Sequence, residues 1–210
     1  GAAAGGTEAG GAEASSATSG AAGGDAASGD AGYRLSAVVF DFDSTLSMPQ
    51  FIKRCEDYAV ADRLELCLGL SQEEILANFG GVGRVARLRQ LLQTLASRGV
   101  ALSIVSLGFT PVIRRHLDAV GLGEFFPPTV VFGQDSRRLQ DVDYQKAMLI
   151  RRLLDESHVA PRDALFVDDS RSHIALCRKL KVCDCLHVAG NGLSDAEMRD
   201  IEAKAAGSQA

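Results

Sequence analysis

"AVVFDFDSTLS", residues 37–47, runs from an uninterrupted apolar segment into two aspartates one residue apart, Asp41 and Asp43. A short continuous apolar run bounded by polar residues describes a strand covered on both faces. Two carboxylates at its carboxyl end raise each other's pKa and oppose folding unless something positive compensates them. The stretch therefore sets two expectations together, a central strand of a parallel sheet and a charged rim with a chemical purpose.

The same apolar pattern recurs along the chain. "LSAVVF" (35–40), "VALSIVS" (100–106), "TVVFG" (129–133), "ALFVD" (164–168) and "CDCLHV" (183–188) read as five strands. Helical patterns separate them. "GRVARLRQLLQTLASRG" (83–99) places Val85, Leu88, Leu91, Leu92 and Leu95 at three-to-four spacing and stops at Gly99. "TPVIRRHLDAVG" (110–121) opens on Thr110 as an expected N-cap with Pro111 in the first turn, and "YQKAMLIRRLLDES" (144–157) and "SRSHIALCRKL" (170–180) complete the set. Strands alternating with helices of this length predict an α/β, Rossmann-like parallel sheet of about five strands with helices on both faces. Residues 47–82 interrupt the alternation. They predict a helical segment near 49–68, then a second helix opened by Ser71 and Glu74 as a capping box, then a glycine break at Gly80, Gly81 and Gly83. The whole reads as a small helical insert after the first strand, placed to lid a site.

Composition bounds the rest. Residues 1–32 hold only Ala, Gly, Ser, Thr and four acids, a composition that cannot bury enough surface to order itself and reads as a disordered tail rather than a targeting peptide. Organelle targeting stays open, because the chain begins with glycine. Residues 33–210 form the expected single domain. The four tail acids account for most of the net charge of −5, so the domain is near neutral and shows no basic face for nucleic acid. Arg84, Arg87, Arg89 and Arg98 fall at helical spacing and read as a solvated face. No apolar run reaches membrane-spanning length. The five cysteines, Cys55, Cys67, Cys177, Cys183 and Cys185, are odd in number and lack a CxxC pair, which favours reduced, mostly buried thiols in a reducing intracellular compartment, the cytoplasm included. A zinc set of His173, Cys177, Cys183 and Cys185 can be drawn, but its spacing matches no strong zinc pattern.

In open parallel sheets ligands gather at the carboxyl ends of strands. That rim is predicted to hold Asp41 and Asp43 after strand one, Ser106 and Gly108 after strand two, Lys146 at the start of the helix after strand three, and Asp168 and Asp169 after strand four. Converging carboxylates suit a hard divalent cation, and a lysine, a hydroxyl and turn N–H groups suit an anion's oxygens. Together they describe a phosphate site.

In that order the motifs resemble those of the haloacid dehalogenase-like phosphohydrolases, over nearly all of 33–210. "VVFDFDSTL" is similar to the family's first motif, Ser106 in "SIVSLGF" to the second, Lys146 to the third and "LFVDDS" to the fourth. The resemblance implies a Mg²⁺-dependent phosphatase acting through an aspartyl-phosphate. Asp41 would be the nucleophile and Asp43 the acid and base. Ser106, Gly108 and Lys146 would bind the phosphoryl oxygens. Asp41, the Asp43 carbonyl, and Asp168 or Asp169 would hold the metal. "DFDST" and "SLGF" are similar to the phosphoserine phosphatase branch, whereas "VDDS" and "LHVAGNGLSDAEM" are more like magnesium-dependent phosphatases with little or no cap. The expected substrate is a phosphorylated small molecule or a phosphoprotein. Two other readings compete: a phosphoryl-accepting receiver-type domain, disfavoured because Lys146 precedes the second acid pair, and a catalytically silent binding protein, disfavoured because no motif residue is missing.

Overall fold

The computed structural model describes residues 34–207, so the expected tail at 1–32 lies outside the described residues. Five strands form one parallel sheet: β1 (Ala37–Phe40), β2 (Ala101–Val105), β3 (Val131–Phe132), β4 (Ala164–Asp168) and β5 (Asp184–His187), in the order β3-β2-β1-β4-β5. β1 is central, with Ala37 opposite both Ala101 and Ala164. Every residue of β1 and β4 is buried, as the unbroken apolar runs require. The winding reverses beside β1: β2 and β3 lie on one side of it, β4 and β5 on the other. The adjacent ends of β1 and β4 flank that reversal, where α/β sheets open a crevice.

The two faces of the sheet build two cores. Val38, Phe40, Ile104, Leu165 and Val167 point to one face. They pack there with Leu88, Leu91, Leu92 and Leu95, Val112, Ile113 and Leu117, and Met198 and Ile201. Ala37, Val39, Val105 and Phe166 point to the other, with Ala147, Leu149, Ile150 and Leu154, and Ile174 and Cys177. The period-two alternation of strands and the three-to-four spacing of helices are thus satisfied at once.

The helices are α1 (Pro49–Glu56), α2 (Arg63–Leu68), α3 (Gln72–Asn78), α4 (Val82–Ser97), α5 (Thr110–Ala119), α6 (Arg137–Gln140), α7 (Lys146–Glu156), α8 (Arg171–Lys179) and α9 (Asp195–Ala206). The helical segment expected near 49–68 is two helices, split across residues 57–62. The Ser71–Glu74 capping box is present, with Glu74 N–H donating to Ser71 Oγ at 3.2 Å. The strand expected over 129–133 is reduced to two residues, because Pro128 opens a single 3₁₀ turn through Val130. Thr110 is not an N-cap but the first residue of α5. Its N–H donates instead to Asp135 Oδ1 at 2.7 Å, from the loop after β3. α9 has its own capping box, Ser194 and Glu197.

The four arginines of 84–98 are not a uniformly solvated face. Arg87 makes a two-pronged pair with Glu202 at 2.9 and 2.8 Å, fixing α4 to α9, and Arg89 pairs with Glu124. Arg84 turns inward and donates to the carbonyls of Leu46, Phe79, Thr45 and Leu193. It therefore ties the loop after β1 to the end of α3 and to the loop before α9.

The helical insert docks through a buried histidine. His116 of α5 is fully buried among the rings of Phe42, Phe51 and Phe79, with centroids 6.0, 4.5 and 6.4 Å away. Its Nδ1–H donates to the Val112 carbonyl at 2.9 Å, and Nε2 accepts from Asn78 Nδ2 at 3.1 Å. This pairing requires a neutral ring. Burial, with a smaller push from Arg115, lowers the His116 pKa to about 4, against the Val112 bond. Below the unfolded value near 6.5 the unfolded chain takes up a proton that the folded chain refuses until about pH 4. The His116 contribution to stability is complete above pH 6.5 and is lost through that window, by about 3 kcal/mol in total, while the raised Asp41 and Asp43 act with the opposite sign in both proteins compared below. Urea unfolding of the wild type and of His116→Gln, measured at pH 7 and pH 4.5, checks this: the wild type loses more stability between the two pH values. Parallel losses would refute the neutral-ring account.

Candidate active site

Two groups of side chains meet at the rim, linked by the three residues Asp41, Phe42 and Asp43. The first group centres on Lys146, the first residue of α7. Lys146, Asp41 and Asp168 are 3%, 3% and 0% exposed. Lys146 Nζ donates to Asp41 Oδ1 at 2.6 Å and to Asp168 Oδ2 at 2.8 Å. This ammonium is the compensating charge that the acid pair demanded. Burial alone would lower the lysine's pKa, but Asp41 and then Asp168 override it and hold the pKa above the usual value. Asp41 is raised to about 6, mainly by burial and then by Asp168, against the pull of Lys146.

Asp168 has further partners. Its Oδ1 accepts the Ser170 N–H at 2.7 Å, and His173 Nδ1 lies 3.2 Å from Oδ2. Burial pushes its pKa up, but His173 and Lys146 outweigh that and keep it below the ordinary carboxylate value. Asp169 is raised by burial and by the Asp168 charge. Its carbonyl contacts His187 Nε2 at 2.9 Å, which fixes the backbone and leaves the carboxylate to the rim.

The second group centres on Asp43. After Asp41 the chain makes a tight, non-helical turn over Phe42–Leu46, with Asp43 extended (ψ 128°) and Ser44 left-handed at φ 58°. A left-handed non-glycine residue costs about 1 kcal/mol or more, and local hydrogen bonds offset it. Ser44 N–H donates to Ser47 Oγ at 3.3 Å, and Ser47 Oγ donates to the Phe42 carbonyl at 3.1 Å. The turn brings Asp43 against the loop after β2. Ser106 Oγ donates to Asp43 Oδ2 at 3.4 Å, and Gly108 N–H donates to Ser106 Oγ at 3.1 Å. A Cβ on Gly108 would stand 2.9 Å from Asp43 Oδ2, so any side chain there would displace that carboxylate oxygen. Asp43 Oδ1 is buried without a partner. Burial first, then the Asp41 charge, raises Asp43 to about 7.

One carboxylate oxygen from each of Asp41, Asp168 and Asp169 lies within 4.8 Å of the other two. An octahedral Mg²⁺ with oxygens at ~2.1 Å spaces its ligands by ~3.0–4.2 Å. A single ammonium faces four carboxylates here, so the residues present fit a divalent cation in both charge and donor type. All seven rim residues read from sequence are brought to this end of the sheet. His173 was read only as a possible zinc ligand, and the structure places it on Asp168 instead. Arg84 was read as surface, Ser47 was not singled out, and both hold the loop that carries Asp41 and Asp43. The sequence marks of His173 were its place in the first turn after "VDDS" and nothing more.

Among solved structures the chain is similar to a candidate phosphatase from Clostridium difficile (17% identity, 80% of this chain and 92% of that one, TM-score 0.51). It is also similar to CbbY from Rhodobacter sphaeroides in complex with phosphate (17% identity, 74% and 87%, TM-score 0.50). A further match is a haloacid dehalogenase-like hydrolase from Bacteroides fragilis (15% identity, 80% and 93%, TM-score 0.49). These likenesses show the fold, an α/β Rossmann-like parallel sheet with helices around it. No protein-family model matches the chain, and no curated protein does. No helix among the described residues is long and apolar enough to cross a membrane.

Removing Lys146 leaves two buried carboxylates facing each other. Lys146→Met is expected to destabilise the fold by about 3–5 kcal/mol at pH 7, measured by urea unfolding without added metal. Added Mg²⁺ should restore part of that loss. A deficit below about 1 kcal/mol would show that the ion triad does not hold these strand ends.

Proposed function

We propose that the protein is a Mg²⁺-dependent phosphomonoester hydrolase working through a phosphorylated Asp41. The observation that carries this is the division of labour within the first acid pair. Asp41 is held against an ammonium and stays mainly ionised near neutrality, as a nucleophile must. Asp43, two residues on, has an unpartnered buried oxygen and titrates at about 7, where a group that both gives and takes a proton works best.

A carboxylate oxygen of Asp41 attacks phosphorus while Asp43 gives its proton to the departing alcohol oxygen. Asp43, now ionised, takes a proton from the water that attacks the aspartyl-phosphate, which releases phosphate and restores both acids. With substrate bound, Ser106 Oγ would turn its proton from Asp43, and Gly108 its N–H from Ser106, to the phosphoryl oxygens, joined by Lys146 Nζ; stabilising those oxygens is the main demand of the chemistry. Asp41, Asp168 and Asp169, with the Asp43 carbonyl, would hold Mg²⁺, which supplies charge neutralisation at the phosphoryl group. Asp169 is the better placed of the second pair for direct contact, because Asp168 is already engaged by Lys146, His173 and Ser170 N–H.

A cavity of about 150 Å³ opens beside Asp43, lined by Phe51, Ile52 and Arg63 of the insert and by Leu107, Phe109 and Val112. Its walls are mostly apolar, with Arg63, Gln134 and Asp43 itself as the polar groups. It suits a small, largely apolar leaving group better than a bulky polar one. A phosphorylated small molecule is therefore favoured over a phosphoprotein.

Turnover of an aryl phosphate should require Mg²⁺, vanish with EDTA, and fall by several orders of magnitude in Asp41→Asn. Full activity in that variant, or without metal, would overturn the proposal. Ile52→Trp, which fills the cavity, should raise KM for the aryl phosphate more than it lowers kcat. An unchanged KM would remove the cavity from the leaving-group path.

A further inference from the structure

Three of the five cysteines, Cys177, Cys183 and Cys185, gather where α8 ends and β5 begins. α8 ends in a Schellman turn: Lys181 N–H donates to the Arg178 carbonyl at 3.0 Å and Val182 N–H to the Cys177 carbonyl at 3.1 Å. Lys181 takes the left-handed conformation, φ 51°, that reverses the chain. The reversal lays Cys183 back over Cys177 and feeds β5, where Cys185 pairs with Phe166 of β4. The sulfur atoms of Cys177, Cys183 and Cys185 lie within 4.8 Å of one another, and Cys177 Sγ is 3.7 Å from Cys183 Sγ. Cys177 is fully buried and the other two are half-buried. All three are free thiols.

We propose that Cys177, Cys183 and Cys185 form a binding site for one thiophilic d¹⁰ cation, Zn²⁺ with one exogenous fourth ligand or Cu⁺ with the three sulfurs alone. A tetrahedral site with Zn–S bonds of ~2.3 Å separates its sulfurs by ~3.8 Å, which the Cys177–Cys183 pair already matches. Thiolates select such cations over Mg²⁺, so the cluster and the carboxylate rim do not compete for one metal. Each thiol releases its proton to solvent as its sulfur binds. Arg178 anchors the same strand, donating to the Cys185 carbonyl at 3.1 Å. The bound ion would clamp the end of α8 to β5, which among the described residues is an edge strand paired with β4 alone. His173 takes no part, since it is engaged at Asp168.

The test uses the full chain, reduced, stripped of metal, and saturated with Mg²⁺ so that the carboxylate rim is filled. Zn²⁺ is titrated in one arm and Cu⁺, without oxygen, in another, and Co²⁺ serves as a spectroscopic stand-in for zinc. The proposal expects one equivalent of Zn²⁺ or Cu⁺ beyond that taken by the triple Cys→Ser variant. It also expects a thiolate-to-cobalt charge-transfer band and protection of three thiols from alkylation. Cys185→Ser, at a half-buried position, should fold and bind at least about tenfold more weakly. Aryl phosphate turnover of Cys185→Ser should stay within about twofold of wild type, which separates failure here from failure of the phosphatase reading. Equal binding by wild type and triple variant, or a disulfide among these cysteines in place of bound metal, would overturn it.

Discussion

Lys146 is the charge on which this end of the molecule depends. Its ammonium sits between the ends of β1 and β4, the neighbours at which the sheet's winding reverses. Without a cation there, Asp41 and Asp168 would be two buried carboxylates side by side, an arrangement that folding does not tolerate unless one is protonated. With the lysine in place the pair is neutralised only in part. Asp43 and Asp169 remain in excess, and the rim stays negative enough to receive a divalent cation. In the proposed mechanism the same incomplete neutralisation would serve both folding and chemistry.

The residue between the two first aspartates joins the site to the insert. Asp41 and Asp43 face the rim, and Phe42 between them is buried against Phe51, Phe79 and His116. Phe51 belongs to α1, and Phe79 closes α3. The backbone that sets the two carboxylates is thus wedged by the ring on which the insert rests. Arg84 reinforces the joint from α4 by binding carbonyls on the loop after β1, at the end of α3 and before α9. A shift of the insert would be felt first at Phe42, one residue from each acid.

The sheet was legible because buried parallel strands write themselves as continuous apolar runs. Residues 37–40 and 164–168 needed no more than that. The rim was legible because its polar residues fall at strand ends, where ligands of such sheets gather. What escaped was set by tertiary contacts. Thr110 looked like a cap, but Asp135, twenty-five residues later, supplies the acceptor. Arg84 shared the spacing of solvated arginines, and only the meeting of three loops turns it inward. α9 carried its capping box, Ser194 and Glu197, in plain view, and it went unread because the strand pattern had ended. The cysteine trio followed no metal spacing because a Schellman turn, not a motif, brings the sulfurs together.

The central claim is that Asp41 carries the phosphoryl group. The most direct measurement is acid quench during turnover of a ³²P-labelled phosphomonoester with Mg²⁺, followed by borohydride reduction and peptide mapping. The account predicts label on the quenched chain, with Asp41 converted to homoserine, more label in Asp43→Asn, and none in Asp41→Asn. Steady turnover with an unlabelled chain, or label on any other residue, would contradict it.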